Sequence, residues 1–143
     1  MSSAAEFSAA LDEFFRTLRR ARGRANQAHA DGLSLAQFQL LDVLVDGRPR
    51  TVGQLADAGG IAQPTATRML DTLERMGIVQ RSPALQDRRC VLISLTPAGG
   101  SALELRRAEI QAARERIRSS LSAQEQRDAA VLLRRLSALM EEL

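Results

Sequence analysis

The stretch that decides the fold is QDRRCVLISLTPAGG, residues 86–100. Its charged triplet lies between two short apolar runs, Ile78-Val79 and Cys90–Leu95, and so predicts a β-hairpin with a charged tip. The triplet consists of Asp87, Arg88 and Arg89. Hairpin tips usually consist of residues that turn easily, such as Asn-Gly or Asp-Gly. Two guanidinium groups at this tip therefore indicate a binding partner outside the fold.

Three helices upstream of the hairpin are predicted from their end signals. Ser34 and Thr51 are each followed three residues later by a glutamine, which is the capping-box pattern. The helix that begins after Thr51 is short and should end near Gly60. Pro64 then fits the first turn of a third helix, which Gly77 should end. A short helix, a tight glycine turn and another helix are typical of a helix-turn-helix motif.

The third helix has two chemically different faces. Its apolar stripe, which we expect to be buried, consists of Ala66, Leu70 and Leu73. The opposite face carries Thr65, Arg68, Thr72 and Arg75. Polar side chains that donate hydrogen bonds to base edges and phosphates are what a helix in the DNA major groove needs. An ordinary solvated face would have the same composition, so the helix alone does not decide between the two interpretations.

The charged tip of the hairpin favours DNA as the partner. Arginine is planar, carries several donors and is weakly hydrated, so it can enter a narrow minor groove. We predict that Asp87 holds a tip guanidinium in an extended pose before binding, which reduces the entropy lost on contact. Residues 48–89 also carry the whole net charge of +3, with seven arginines against four acidic residues. A local basic excess is typical of proteins with a polyanionic partner.

Two segments of this sequence carry a resemblance to a known family. They are TVGQLADAGGIAQPTATRMLDTLERMGIVQR, residues 51–81, and DRRCVLISLTPAGG, residues 87–100. Together they resemble the MarR (multiple antibiotic resistance regulator) transcription factors, which are winged helix-turn-helix dimers. The resemblance implies a mainly α fold with a small β-hairpin wing. It implies a single domain, 1–143, with dimerisation helices in 1–32 and 97–143 and a DNA-binding module in 33–96.

The resemblance also implies roles for individual residues. The start of the recognition helix, which meets base edges and phosphates, is matched by Gln63, Pro64, Thr65, Thr67 and Arg68. The wing acid and the wing arginine, which enters the minor groove, are matched by Asp87 and Arg89, and Arg88 lies where a phosphate contact is expected. Ala62 departs from the family pattern, because a Ser or Thr often caps the helix there. Losing that cap costs about 1 kcal/mol and removes one candidate phosphate contact.

Both ends of the chain predict amphipathic helices. The apolar face near the N-terminus includes Phe7, Leu11 and Phe14. After a third capping box, which begins at Ser122, the apolar face of the last helix includes Leu132, Leu136, Leu139 and Leu143. These faces exceed what the central module can cover, which predicts a homodimer. The alternative, that they only complete an intramolecular core, stays open.

Nothing in the sequence predicts catalysis or a bound metal. The single cysteine, Cys90, and the single histidine, His29, are far apart, and no nucleophile elbow, phosphate loop or metal-ligand cluster is present. We therefore expect no enzymatic activity, no cofactor and no metal. We interpret Cys90 as an inert strand residue rather than a redox sensor. Without a signal-peptide-like segment or a run of membrane-spanning length, we expect a cytoplasmic protein with no membrane partner.

The sequence thus predicts a homodimeric transcriptional repressor, or less often an activator, that binds a pseudo-palindromic operator in double-stranded DNA. Two alternatives stay open, a protein-interaction module with the same fold and an architectural protein that binds DNA of any sequence. The polar, basic face of helix 63–76 argues against the first alternative. The resemblance further implies a small aromatic or anionic effector, with Phe14, Phe38 and the arginines among residues 16–24 as candidate lining residues.

Overall fold

A computed structural model describes residues 2–27 and 32–143 of the chain. The helices are α1 (Ser3–Gln27), α2 (Leu35–Leu41), α3 (Val52–Gly59), α4 (Gln63–Arg75), α5 (Pro97–Ser119) and α6 (Ala123–Glu141), with a short 3₁₀ helix at Asp42–Asp46. The strands are β1 (Arg50–Thr51), β2 (Val79–Pro83) and β3 (Val91–Leu95). His29, for which the sequence predicts no metal role, lies outside the described residues.

The strands form one antiparallel sheet in the order β1-β3-β2. β2 and β3 form the predicted hairpin, in which Val79 pairs with Leu95 and Pro83 with Val91. β1 lies on the other side of β3, where Arg50 pairs with Ile93, and the sequence analysis did not predict this strand. The observed fold is mainly α with a small β-hairpin, as predicted.

The helix ends follow the predicted capping signals. The hydroxyls of Ser34, Thr51 and Ser122 each accept a hydrogen bond from the backbone N–H three residues later, at 3.1–3.2 Å, and all three capping boxes are complete. The turn between α3 and α4 uses Gly60 in the left-handed region, with φ of 63°. That conformation costs glycine little because it has no Cβ. The same argument applies to Gly77, with φ of 75°, just after α4.

The core lies between the short helices and the sheet. The predicted inward stripe of α4 is fully buried and packs in the same core as Leu41 and Leu55, which are also inaccessible to solvent. Ile93 contributes the one completely buried side chain of β3. Each buried leucine or isoleucine stabilises the fold by about 1.5–3 kcal/mol relative to exposure. This core fixes which face of α4 remains outside.

The chain divides into two compact units, one ending at Arg106 and the other running from Arg107 to Leu143. In the first unit, Arg106 is buried and donates a hydrogen bond from Nη2 to the backbone oxygen of Ala25, at 3.4 Å, which joins α5 to α1. In the second unit, α6 has no buried residue. No helix among the described residues is both long and apolar enough to cross a membrane.

Candidate nucleic-acid interface

Apart from the buried Ala66, the start of α4 is exposed to solvent. The exposed residues are those predicted for the start of the recognition helix, Gln63, Pro64, Thr65, Thr67 and Arg68. Ala62 is the N-cap and makes no side-chain cap, as expected from its type. The first backbone N–H groups of α4 therefore have no hydroxyl partner, and the positive end of the helix dipole is available to an anion.

The last turn of α4 orders one of the two arginines of this helix. Nη2 of Arg75 donates to the hydroxyl oxygen of Thr72 at 3.2 Å, and that hydroxyl donates to the backbone oxygen of Arg68 at 3.3 Å. Thr72 thereby holds the Arg75 guanidinium along the helix surface. The Arg68 side chain forms no hydrogen bond or ion pair with the described part of the chain, so its donors are available to a partner.

The tip of the hairpin is ordered by backbone hydrogen bonds. The N–H of Ala84 donates to the oxygen of Cys90 at 2.9 Å, and the N–H of Cys90 donates to the backbone oxygen of Asp87 at 3.0 Å. The Asp87 carboxylate accepts the backbone N–H of Arg89, with Oδ1 at 3.0 Å. This differs from the expectation that Asp87 holds a guanidinium. Within residues 32–143 the carboxylate forms no ion pair. Its hydrogen bond instead orders the backbone from which Arg89 projects.

The side chains of the tip are open to solvent. Arg88, Arg89 and Cys90 are all exposed, and Leu85 beside them is fully exposed. Cys90 lies just before β3 rather than within it. Nothing in this surface orients the two guanidinium groups toward the body of the protein. The tip therefore presents two exposed cationic groups on a backbone that hydrogen bonds order.

Sequence reasoning missed the residue that joins the hairpin to α4. Arg81 of β2 reaches two acids of α4 at once, with Nη2 at 2.7 Å from Oδ1 of Asp71 and Nη1 at 2.8 Å from Oε2 of Glu74. The hydrogen bond that Arg81 donates to the Asp71 carboxylate raises the pKa of the Arg81 guanidinium above its ordinary value. The partners lie ten and seven residues away in sequence, so no local pattern signals the contact.

A family model and two solved structures match this chain. The MarR family model matches residues 33–91, which include α2, α3, α4 and the hairpin up to the first residue of β3. A probable transcriptional regulator from Pseudomonas aeruginosa is 31% identical, with a TM-score of 0.66 over 84% of this chain and 93% of that one. A mutant of MarR from E. coli, solved in complex with operator DNA, is 25% identical, with a TM-score of 0.73 over 94% and 99% of the two chains.

The chain belongs to the MarR family. FabT from Streptococcus pneumoniae, solved in complex with DNA, shares the fold with a TM-score of 0.78 at 23% identity, over 98% of this chain and 99% of that chain. The protein is accordingly a transcriptional regulator of the winged helix-turn-helix type, and the hairpin of β2 and β3 is its wing.

In this MarR-family protein the wing is fastened to α4 and α5 at one threonine. The Thr96 hydroxyl donates to the backbone oxygen of Gly77, just after α4, and accepts the N–H of Gly99 at 3.0 Å. Its own N–H donates to the oxygen of Ile78 at 3.0 Å. Thr96 is therefore the predicted N-cap of α5, and it also ties the start of α5 to the end of α4.

The described residues give no metal site, since they contain no group of three histidine, cysteine or acidic side chains that could hold an ion. Of the residues suggested for an effector cleft, Phe38 is buried in the core and Phe14 is about half exposed on α1. Phe15, Leu18, Arg19 and Arg22 line an open depression of about 310 Å³ on α1. The effector stays a prediction.

Proposed function

We propose that this MarR-family protein is a homodimeric repressor that binds a pseudo-palindromic operator with sequence specificity. The observation that carries the proposal is that one compact unit exposes two arginine-bearing surfaces. One is the outer face of α4, and the other is the wing tip. Solved relatives support the DNA partner, since FabT and a MarR mutant were each crystallised with DNA.

The outer face of α4 suits the major groove. Arg68 is exposed and uncommitted, so its planar guanidinium can form two parallel hydrogen bonds to the O6 and N7 atoms of a guanine. Arg75 is held along the helix by Thr72 and suits a phosphate instead. Gln63, Thr65 and Thr67 surround the helix start, where backbone N–H groups favour an anion.

The wing tip suits the minor groove beside the site of α4. Arg89 projects from a backbone that Asp87 fixes, and Arg88 next to it suits a phosphate. A guanidinium enters a narrow minor groove more readily than an ammonium because it is flat and weakly hydrated. Placing one element in each groove would fix the register of the module on the duplex.

The apolar faces of α1 and α6 support a homodimer. Phe7, Phe14, Leu132 and Leu139 are each more than half exposed in the single chain, and Leu143 is fully exposed. Leu11 and Leu136, which share these faces, are half-buried. Exposed apolar surface of this kind marks an interaction site. We propose that residues 1–32 and 97–143 hold the dimer and that residues 33–96 bind the DNA, with half-sites about 34–36 Å apart.

Repression is the simplest consequence of a dimer on an operator, because the bound protein competes with other proteins for the same DNA. We further propose that the protein acts in the cytoplasm and that a small aromatic or anionic effector relieves binding by changing the separation of the two modules. Such an effector must bind the conformation that does not fit DNA better than the conformation that does. An equal affinity for both would leave the equilibrium between them unchanged.

The test is selection of a duplex from a random-sequence pool by the wild-type protein, followed by titration of that duplex and of a scrambled one at several salt concentrations. We expect one enriched palindromic sequence, bound at least a thousandfold more tightly than the scrambled duplex. Equal affinity for both duplexes would indicate an architectural protein. The absence of binding to either would favour the protein-interaction module.

A further inference from the structure

The recognition helix carries two acids where binding to DNA would least tolerate them. Asp71 and Glu74 are both exposed on α4, among residues that we assign to the duplex. Asp71 lies three residues after Arg68 and four residues before Arg75. Those are the spacings at which side chains of opposite charge pair on one helix. Left to itself, Asp71 would therefore compete with DNA for both arginines.

In the structure both acids pair with Arg81 of β2 instead. The Arg81 guanidinium reaches across from β2 and takes Asp71 with one terminal nitrogen and Glu74 with the other. Neither acid forms an ion pair with Arg68 or Arg75 in the part of the chain that the structure describes. The Arg81 side chain is 29% exposed, while its two partners are 50% and 43% exposed, so the arginine is the least accessible of the three.

We propose that Arg81 is a positioning residue for DNA binding, which sequesters Asp71 and Glu74 and so leaves Arg68 and Arg75 available to the duplex. Arg81 also offsets one of the two negative charges that phosphates would otherwise meet on this helix. The planar fork of arginine allows one side chain to serve two carboxylates, which the compact ammonium of lysine does less well. This inference rests on the proposed role of α4 as the recognition helix.

Two other roles for Arg81 make different predictions. If the ion pairs mainly clamp the wing to α4, removing the acids should weaken DNA binding, because the same clamp is lost. If Arg81 contacts a phosphate itself, its loss should weaken binding whether or not the acids are present. Sequestration alone predicts that removal of the acids does no harm and that Arg81 then becomes dispensable.

A double-mutant cycle separates the three roles. The four proteins are the wild type, Arg81→Ala, the pair Asp71→Asn with Glu74→Gln, and the combination of all three changes. The probe is the duplex that the wild-type protein selects from a random-sequence pool. We expect Arg81→Ala to weaken binding at least tenfold, the acid-free pair to bind at least as tightly as the wild type, and Arg81→Ala to cost less than threefold in the acid-free background.

Matched controls account for charge and folding. Asp57→Asn with Glu104→Gln removes two other exposed acids and measures the gain expected from net charge alone. Thermal melting checks each variant, and we expect small shifts because exposed ion pairs contribute little to folding. If Arg81→Ala does not fold, Arg81→Lys replaces it in the cycle. We then expect Arg81→Lys to weaken binding to the duplex at least threefold in the wild-type background and not to weaken it in the acid-free background.

Weaker binding by the acid-free pair would overturn the proposal in favour of a clamp. An equal cost of Arg81→Ala in both backgrounds would overturn it in favour of direct phosphate contact. A wild-type protein that selects no duplex would overturn the proposed function, and this inference with it. A wild type that binds its selected duplex while the cycle proves additive would overturn the inference alone.

Discussion

Gly99 lies directly against the backbone carbonyl of Ile78, so that a Cβ at Gly99 would overlap the carbonyl oxygen and carbon. Ile78 follows α4 and Gly99 lies in the first turn of α5, so this contact sets how closely the two elements approach. Thr96 bonds to the same carbonyl oxygen and to the Gly99 N–H. The glycine is thus required by a close approach and not by its φ, which is ordinary.

We expect Gly99→Ala to destabilise the fold by about 3 kcal/mol, because backbone at Ile78 cannot move aside as a flexible side chain can. Gly100→Ala is the matched control, since nothing lies within 4 Å of its Cβ position. That substitution should stabilise the helix by about 0.5–1 kcal/mol. Urea unfolding of both variants measures the difference, and equal stabilities would show that α5 can shift to accept the methyl group.

The exposed apolar face of α6 predicts which substitutions break the proposed dimer. Leu132→Glu with Leu139→Glu places two charges on the apolar face, which should shift the protein to monomer because charges are costly to bury. Arg127→Glu with Arg134→Glu has the same spacing on the opposite face and should leave the dimer intact. Sedimentation velocity distinguishes the monomer from the dimer.

Removal of all residues after Ser120 should likewise give a monomer, and a dimer that survives that truncation would exclude α6 from the interface.

The helices and the hairpin were predictable because their signals are local. Ser34, Thr51 and Ser122 each define a helix start within four residues, and the wing triplet lies between two apolar runs. β1 was not predictable, because a strand of two residues has no periodicity and forms only where β3 offers an edge. Arg81 was missed for a similar reason, since its partners become neighbours only when β2 turns back along α4.

The capping box of α6 should make stability depend on pH. The Ser122 backbone N–H donates to Oε2 of Glu125 at 2.7 Å, and this bond holds the pKa of Glu125 below its ordinary value. A depressed pKa means that the contribution is present above the ordinary pKa and is lost as pH falls through the folded-state value. The melting temperature of the wild type should therefore exceed that of Glu125→Gln above the ordinary glutamate pKa of about 4.3, and the difference should shrink as the pH falls below it. A difference that does not change with pH would contradict this reasoning.

Substitution of the two arginines of α4 should weaken DNA binding in different ways. Arg68→Ala should weaken binding to the selected duplex by about 1–3 kcal/mol and relax preference at one base pair, as expected for a bidentate base contact. Arg75→Ala should weaken binding to selected and scrambled duplexes alike and flatten the salt dependence, as expected for a phosphate contact. Titration of both duplexes at several salt concentrations tests this. An equal loss of affinity of Arg68→Ala for both duplexes would show that Arg68 contacts the DNA backbone rather than a base.

The wing arginine should depend on its shape as well as its charge. Arg89→Lys keeps the positive charge, yet we expect it to bind the selected duplex at least tenfold more weakly. The ammonium is strongly hydrated and compact, so it enters a narrow minor groove less favourably than a flat guanidinium. Arg88→Lys is the matched control and should bind nearly as well as the wild type, because a phosphate accepts either cation. If Arg89→Lys binds the selected duplex as tightly as the wild type in the same titration, the wing tip contributes only its positive charge.

Asp87 gives the sharpest test, because charge and geometry predict opposite results. Its carboxylate accepts the Arg89 N–H and fixes the backbone that carries the guanidinium. Asp87→Ala removes an acid, which on charge alone should strengthen attraction to phosphate, but it also frees the turn and raises the entropy lost on binding. We expect weaker binding. Asp87→Asn retains an oxygen acceptor for the same N–H while removing the charge, so it should bind at least as tightly as the wild type. Melting curves confirm that both variants fold. Tighter binding by Asp87→Ala would show that the fixed backbone contributes nothing and that the acid only opposes the arginines beside it.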